Sequence, residues 1–518
     1  MKPPDGHAPP DAVGSPVPLP PPDDPARTPP QTLFLLGVPI HNLTEREVLD
    51  RIVLSVKERK PCHIVTSNLD FLLQAWRDPE MNRIHLEADL VLADGMPLVW
   101  FSRFFGPALK ERVAGSDLMP RLAETARDHG MSLFAIGGAP GVAERAMGLL
   151  QERFPGLKVA GWESPPVAPL LQMDHEGVVN RVRAAKPDII LVAFGAPKQE
   201  KYIRLNAPEW NVPVAIGVGG SLDFLTGAQV RAPKAFQKIG MEWFWRMVRD
   251  PRRMAKRYGR DFLFLFGMLG RLVFLRFMPT DGLRRGPRPD PAAVQAAGAR
   301  WIPFRRLLRP EPAETFCRET LPAVAAGPVV LDLSIAPWLN SLELGALARL
   351  ARGCRDAGRQ LLLAHAHPRV ARLIRSARMD RYLQVFESGE ALLREVAAQR
   401  SASDARAPQF NQKDNRLQIQ LPQEFTRDTV NRAREEFLRR WKTGTIKEVV
   451  IDARRMRYID ISGARFLLAG RRMVEREQGC SLWLLGFPES TLETMRREGL
   501  DSYNVDRRKT FRREDLPP

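Results

Sequence analysis

Cysteine is scarce: Cys62, Cys317, Cys354 and Cys480 are scattered through 518 residues, with no C-x-x-C pair and no histidine at ligand spacing. This speaks against a disulfide framework or a zinc site and fits a reducing cytoplasm. The first half lacks G-x-G-x-x-G and G-x-x-x-x-G-K-[ST], which argues against a classical dinucleotide fold and a P-loop NTPase. No D-x-D metal site stands where a sugar-nucleotide enzyme would place one. The start, MKPPDGHAPP, lacks the basic-then-apolar order of a secretory signal, and its proline content predicts an extended leader. A long uncharged apolar run is also missing. The most apolar stretch, Phe262 to Met278, carries Arg271 near its middle and falls short of a span of about 20 residues, so it is expected to lie on a membrane rather than cross it.

What is present is globular. An apolar fraction of 44% and a charged fraction of 27% support packed cores, and the length favours three units. The formal charge of +18 suits a polyanion: nucleic acid, an acidic membrane face or a diphosphate. Much of the excess arginine lies at 246–260 and 271–288, next to aromatic-rich apolar sequence. That placement favours an anionic membrane surface and sets nucleic acid aside.

From Leu33 to Gly240, runs such as HIVTSN, LVLADG, SLFAIGG, IILVAFG and VAIGVGG alternate with helical patterns such as GVAERAMGLLQERF. Unbroken apolar runs predict strands buried on both faces, joined by right-handed helical crossovers: an α/β fold with a parallel sheet. Ligands bind such sheets beyond the carboxyl ends of the strands, where Thr66, Asn68, Asp94, Gly137, Gly195 and Gly219 fall. After a Pro/Gly/Arg-rich linker the chain repeats itself, with VVLDLSIAPWLNSLELGAL near Val329 answered by VVIDARRMRYIDISGARFL near Val449. Each is followed by a helix, a strand and another helix, which predicts two small related α/β domains. The resulting division is a leader (1–31), a first domain (32–245), a basic appendage (246–280), a linker (281–299), one small domain (300–400), a short linker (401–410) and a second small domain (411–518).

Chemistry concentrates in the first domain. Asp94 ends a strand, where a carboxylate within reach of an acceptor hydroxyl can act as general base; a cap on the turn made with Gly95 is the structural alternative. Thr66 and Asn68 can orient sugar hydroxyls or close a strand-to-helix turn. Gly137, Gly138 and Gly141 open a helix whose amides can approach a nucleotide, although tight turns need glycine in any case. Glu200 begins a helix, where its charge is favourable. Arg246 and Arg253 are seven apart on one helical face with Lys256 three further on, beside Trp243, Phe244 and Trp245.

Taken together, T-S-N at Thr66 to Asn68, A-D-G-M-P at Ala93 to Pro97, G-A-P-K-Q-E at Gly195 to Glu200, R-A-P at Arg231 to Pro233 and the series from Glu242 to Arg253 resemble the WecG/TagA/CpsF family of bacterial glycosyltransferases. The resemblance covers nearly the whole unit and implies a Rossmann-like transferase. The implied reaction moves an N-acetylmannosamine-like sugar from a UDP-sugar to a polyprenyl-diphosphate-linked acceptor, with inversion and with no metal or cofactor. It assigns Asp94, Thr66 and Asn68 to the active site, and Arg112, Gln199 and Asp223 to substrate binding. It also lends Arg246, Arg253 and, less directly, Lys256 to the leaving diphosphate; a basic surface that only touches anionic lipid is the alternative.

The repeats resemble STAS domains, in which a strand ending in Asp leads to a D-S-S-G-like loop. The second reads D-I-S-G at Asp460 to Gly463, placing Ser462 at the position phosphorylated in switchable members, or making it an ordinary N-cap; the first places Leu342 there. A STAS-binding protein or kinase is the implied partner. The expected whole is a cytoplasmic enzyme held peripherally at the inner membrane face. A nucleotide-sugar-sensing adaptor signalling through Ser462 is the rival.

Overall fold

The computed structural model describes residues 26–229, 232–233, 236, 241–279, 289–307, 309–401, 407–477 and 480–497. Most of the leader, Arg231 of the R-A-P segment, and the side chains of Arg246 and Arg253 lie outside the described residues.

The first domain is built on six parallel strands, and their burial explains their composition. β3 (Cys62–Ser67), β4 (Leu90–Ala93), β5 (Ser132–Gly137), β6 (Lys158–Glu163), β7 (Ile189–Ala193) and β8 (Val214–Gly217) lie in the order β4-β3-β8-β7-β5-β6. The central runs are buried along their whole length, as unbroken Ile/Val/Leu sequence requires when helices cover both faces. Edge strand β6 is half exposed.

Ahead of the sheet stands a hairpin that the parallel pattern does not predict, β1 (Thr32–Leu35) and β2 (Val38–His41). Its two-residue turn holds Leu36 at φ 49° and Gly37 at φ 99°, the left-handed pair whose twist matches that of flanking strands.

The appendage is two helices, Glu242–Arg249 and Pro251–Phe277. No helix among the described residues is long and apolar enough to cross a membrane. The apolar stretch from Phe262 divides its side chains: Leu265, Met268 and Leu275 are buried, whereas Leu263, Phe266, Phe274 and Phe277 are exposed. Arg271, which interrupts that stretch, donates from Nε to Ser376 Oγ at 3.0 Å.

The two repeats share a core of three parallel strands and differ at the sheet edges. In the first, β9 (Arg300–Pro303), β10 (Val329–Asp332), β11 (Leu361–Ala364) and β12 (Leu383–Phe386) form a parallel sheet ordered β12-β11-β10-β9. A helix at Pro291–Ala296 precedes it, inside the stretch read as linker, and packs on β9. In the second, β13 (Gln409–Lys413) and β14 (Arg416–Gln420) pair antiparallel; β15 (Glu424–Phe425) and β17 (Tyr458–Ile459) form a short parallel pair. β14, β16 (Glu448–Asp452) and β18 (Ser481–Leu485) complete the main sheet.

Both repeats dock on the first domain through the start of their equivalent helices. Leu342, at the first repeat's switch position, is buried in the cluster formed by Leu33, Leu35 and Leu265. In the same helix Gly345 is obligatory, because a Cβ there would lie 2.2 Å from the Thr32 carbonyl oxygen. The second repeat shares an apolar core with the helices His175–Ala185 and Lys198–Trp210.

Candidate active site

The residues singled out in the first domain follow the carboxyl ends of five neighbouring strands. Asp94 follows β4, Thr66 and Asn68 end β3, Gly219 and Asp223 follow β8, Gly195 and Gln199 follow β7, and Gly137 and Gly138 end β5. One wall is tightly defined. Asp94 accepts a long hydrogen bond from the Gly115 amide at 3.4 Å. A Cβ on Gly115 would lie 3.2 Å from Ser221 Oγ and 3.8 Å from Thr66 Oγ1, and one on Gly95 would lie 3.7 Å from Asn68 Cβ. Asp94, Thr66, Ser221 and Asn68 therefore form one cluster around Gly115 and Gly95.

Within it the side chains have unequal freedom. Thr66 is buried and donates to the Gly217 carbonyl at 2.9 Å, so its hydroxyl proton ties β3 to β8 rather than facing a substrate. Asn68 caps the helix Leu69–Arg77, its side-chain oxygen accepting from the Asp70 and Phe71 amides at 3.0 and 3.3 Å, so the turn-closing reading holds. Asp94 does not cap the next helix: Gly95 holds that position, with no side-chain cap. Asp94 is half-buried.

Gln199 departs from its expected role in substrate binding. It is 1% exposed, and its side-chain oxygen accepts from the Gly195 and Gly219 amides at 3.1 and 3.0 Å. It positions two glycine turns and has no face toward a ligand. Its amide nitrogen donates to Glu200 at 2.7 Å. Glu200 lies at a helix start but is fully buried, which raises its carboxyl to about 7 and removes the solvated charge expected there. Asp223 is partly exposed, and desolvation pushes its carboxyl above the usual range.

The glycines do need to be glycine. Gly137 has φ 110°, and a Cβ there would lie 2.6 Å from the Ala193 carbonyl oxygen. Gly141 caps the helix Val142–Arg153 at φ 81° with open space beside it, which leaves room for a ligand at that helix start.

The appendage reaches this region through Arg112, expected to bind substrate, and through Asp70, Arg257 and Arg260, which the sequence did not single out. Arg112 pairs with Asp117 at 2.5 Å and with Glu242 of the appendage at 3.5 Å. Asp70, two residues beyond Asn68, accepts from Arg260 at 2.6 Å and Arg257 at 3.0 Å. Lys256, expected to help neutralise the leaving diphosphate, is exposed, whereas Arg257 beside it is half-buried. Asp70 reads as an ordinary first-turn acid, and only its distant partners mark it.

Ser462 is 8% exposed and is not an N-cap. Asp460 is the cap, accepting from the Gly463 amide at 2.9 Å while its other oxygen meets Arg204 of the first domain at 3.1 Å. The adjacent Ile461 amide donates to Glu80 at 2.9 Å. Glu80 and Asp78 share Lys201, Arg204 also binds Glu87, and Arg83 joins Glu87 to Glu424 and Asp428. The second repeat is thus seated in a buried ionic socket.

Residues 33–277 match the glycosyl transferase WecG/TagA/CpsF family, residues 297–391 the STAS domain family, and residues 409–506 the Mlab, STAS domain family. An N-acetylglucosaminyldiphosphoundecaprenol N-acetyl-beta-D-mannosaminyltransferase of Bacillus spizizenii is 32% identical over 199 residues, covering 38% of this chain and 76% of that protein. A Staphylococcus aureus protein of the same name is 30% identical over 224 residues, 43% of this chain and 86% of that one. Among solved structures, a D-lactate dehydrogenase from Treponema pallidum aligns over 72% of this chain and 95% of its own at 12% identity, with a TM-score of 0.13 that bears no weight.

Proposed function

The chain belongs to the WecG/TagA/CpsF family of glycosyltransferases, and from that premise we propose that it moves N-acetylmannosamine or a close relative from UDP to a polyprenyl-diphosphate-linked acceptor. The work is done at the inner face of the membrane. The observation that carries this reading is the clustering of Asp94, Asn68 and Ser221 at the carboxyl ends of neighbouring strands, with appendage arginines clasped to nearby Asp70.

Asp94 takes the proton of the acceptor hydroxyl as that oxygen attacks the anomeric carbon. The new C–O bond forms as the bond from that carbon to the UDP oxygen breaks, and UDP leaves with the electron pair. One displacement inverts the anomeric centre. Arg246 and Arg253 are the proposed neutralising charges for the leaving diphosphate; rather than sharing one helical face they lie on the successive helices Glu242–Arg249 and Pro251–Phe277, the second of which Arg257 and Arg260 tie to Asp70. Arg112 holds Glu242 and so sets the appendage's approach. The amides at Gly137 and Gly138 and the Asp223 carboxyl are the proposed nucleotide-sugar contacts. The exposed apolar and basic faces of the helix Pro251–Phe277 supply the membrane contact. The STAS pair supplies control, with Ser462 as the modification point.

A donor screen against a short-chain GlcNAc-diphosphate lipid, scored by product mass, tests this reading. The expected result is one N-acetylhexosamine added from its UDP form. An acceptor left unmodified by every UDP-sugar sinks it.

A further inference from the structure

Where the appendage helix, the β1–β2 turn and the first repeat meet, a groove of about 450 Å³ opens, within the usual size of small-molecule pockets. Met268, Leu272 and Val273 line one side, Phe34 and Leu344 another. None of the strand-end site residues lines it. Phe104 and Phe277 do, and these are 72% and 77% exposed. The mouth therefore belongs to the same apolar ridge as Leu263, Phe266 and Phe274. A hydrocarbon chain can pass from a bilayer touching that ridge into the groove without crossing water.

We propose that this groove holds the polyisoprenyl chain of the acceptor lipid, an inference that rests on the transfer reading above. One helix carries both ends of the argument. Arg257 and Arg260 lie beside Asp70 near the catalytic strand ends, and Met268 to Phe277 follow about 12 to 25 Å further along the axis. A lipid with its diphosphate at the transferase cleft and a long tail spans that distance. A bilayer phospholipid, whose headgroup stays at the membrane surface, has no reason to do so. The charged groups at the groove are already engaged: Arg306 pairs with Glu343 at 2.9 Å, and Arg276 lies over the Trp338 ring at 5.3 Å, while the Ser341 hydroxyl has no hydrogen-bond partner among the described residues. The chain thus meets apolar wall rather than unpaired charge. Because Trp338 and Leu344 come from the first STAS repeat, that repeat forms part of the substrate site.

The test uses the full chain in detergent with a photoreactive long-chain polyisoprenyl diphosphate. Label is expected in peptides spanning Met268–Phe277 and Trp338–Leu344, competed by unlabelled long-chain lipid but not by a two-isoprene diphosphate. Val273→Trp, at a half-exposed position, should cut labelling at least tenfold while leaving the melting temperature near that of the parent. It should also cut the ratio of kcat/KM for long-chain over short-chain acceptor at least tenfold. Label confined to other segments, an unchanged ratio, or a co-purified phospholipid that the long-chain diphosphate does not displace overturns the proposal. If no acceptor is ever glycosylated, the transfer reading falls while labelling still decides the groove; transfer without groove labelling removes the groove alone.

Discussion

Glu200 and Asp94 are both acids just beyond strand ends, and their surroundings give them opposite duties. Asp94 is half-buried. Glu200 is fully buried, one oxygen bound by Gln199 and the other without a hydrogen-bond partner among the described residues. With its carboxyl raised from 4.5 to about 7, Glu200 keeps its proton in the folded state while the unfolded chain releases it. Its contribution therefore favours folding below about pH 4.5 and is lost as pH rises toward 7. Glu200→Gln removes that loss. The melting temperature of the variant relative to the parent should climb between about pH 4.5 and 7 and then level off, a change on the order of 3 kcal/mol in thermal unfolding. A flat difference would show Glu200 ionised. Sequence identified Gln199, Glu200 and Thr66 as residues near the cleft but not their duties, because a hydroxyl or amide aimed at a ligand has the same letter as one aimed at a carbonyl oxygen.

The helices of the appendage show how far pattern reading extends. Apolar periodicity and arginine content mark a basic helix with an exposed apolar face, but the arginines that reach the first domain are Arg257 and Arg260, and their partner is Asp70. Removing that carboxylate should free the helix from the cleft. Asp70→Ala is expected to raise KM for the lipid acceptor about tenfold, the scale of one or two kcal/mol, in steady-state assays. KM for the UDP-sugar should stay near the parent value; an equal rise in both would place Asp70 in general stability rather than in appendage docking. The parallel strands were legible because runs such as IILVA have no polar face to offer water. The β1–β2 hairpin was not, since Leu36 at positive φ gives no turn signal.

At the scale of the whole molecule, the STAS pair is seated against the enzyme rather than trailing from it. The sequence does not single out Arg204 or Arg83; only the fold brings Asp460 and Glu424 to them. Arg204→Ala leaves Asp460 and Glu87 buried beside a missing cation, a loss of about 3–5 kcal/mol for such networks. Hydrogen exchange should then show lost protection around Ile461 and in the helix Lys198–Trp210 together; exchange unchanged in both would show that the socket does not hold the repeat. A phosphate on Ser462 would enter the same socket near the carboxylates of Asp460 and Glu80, so Ser462→Glu should loosen the same two segments. All of this serves one claim, that the strand-end space is where sugar transfer occurs. Its most direct test is the single-turnover rate from UDP-N-acetylmannosamine to a GlcNAc-diphosphate lipid, measured for the parent and for Asp94→Asn. The account predicts glycosylated lipid from the parent and a rate about 10²- to 10⁴-fold lower in the variant; no product from the parent, or equal rates in both, would contradict it.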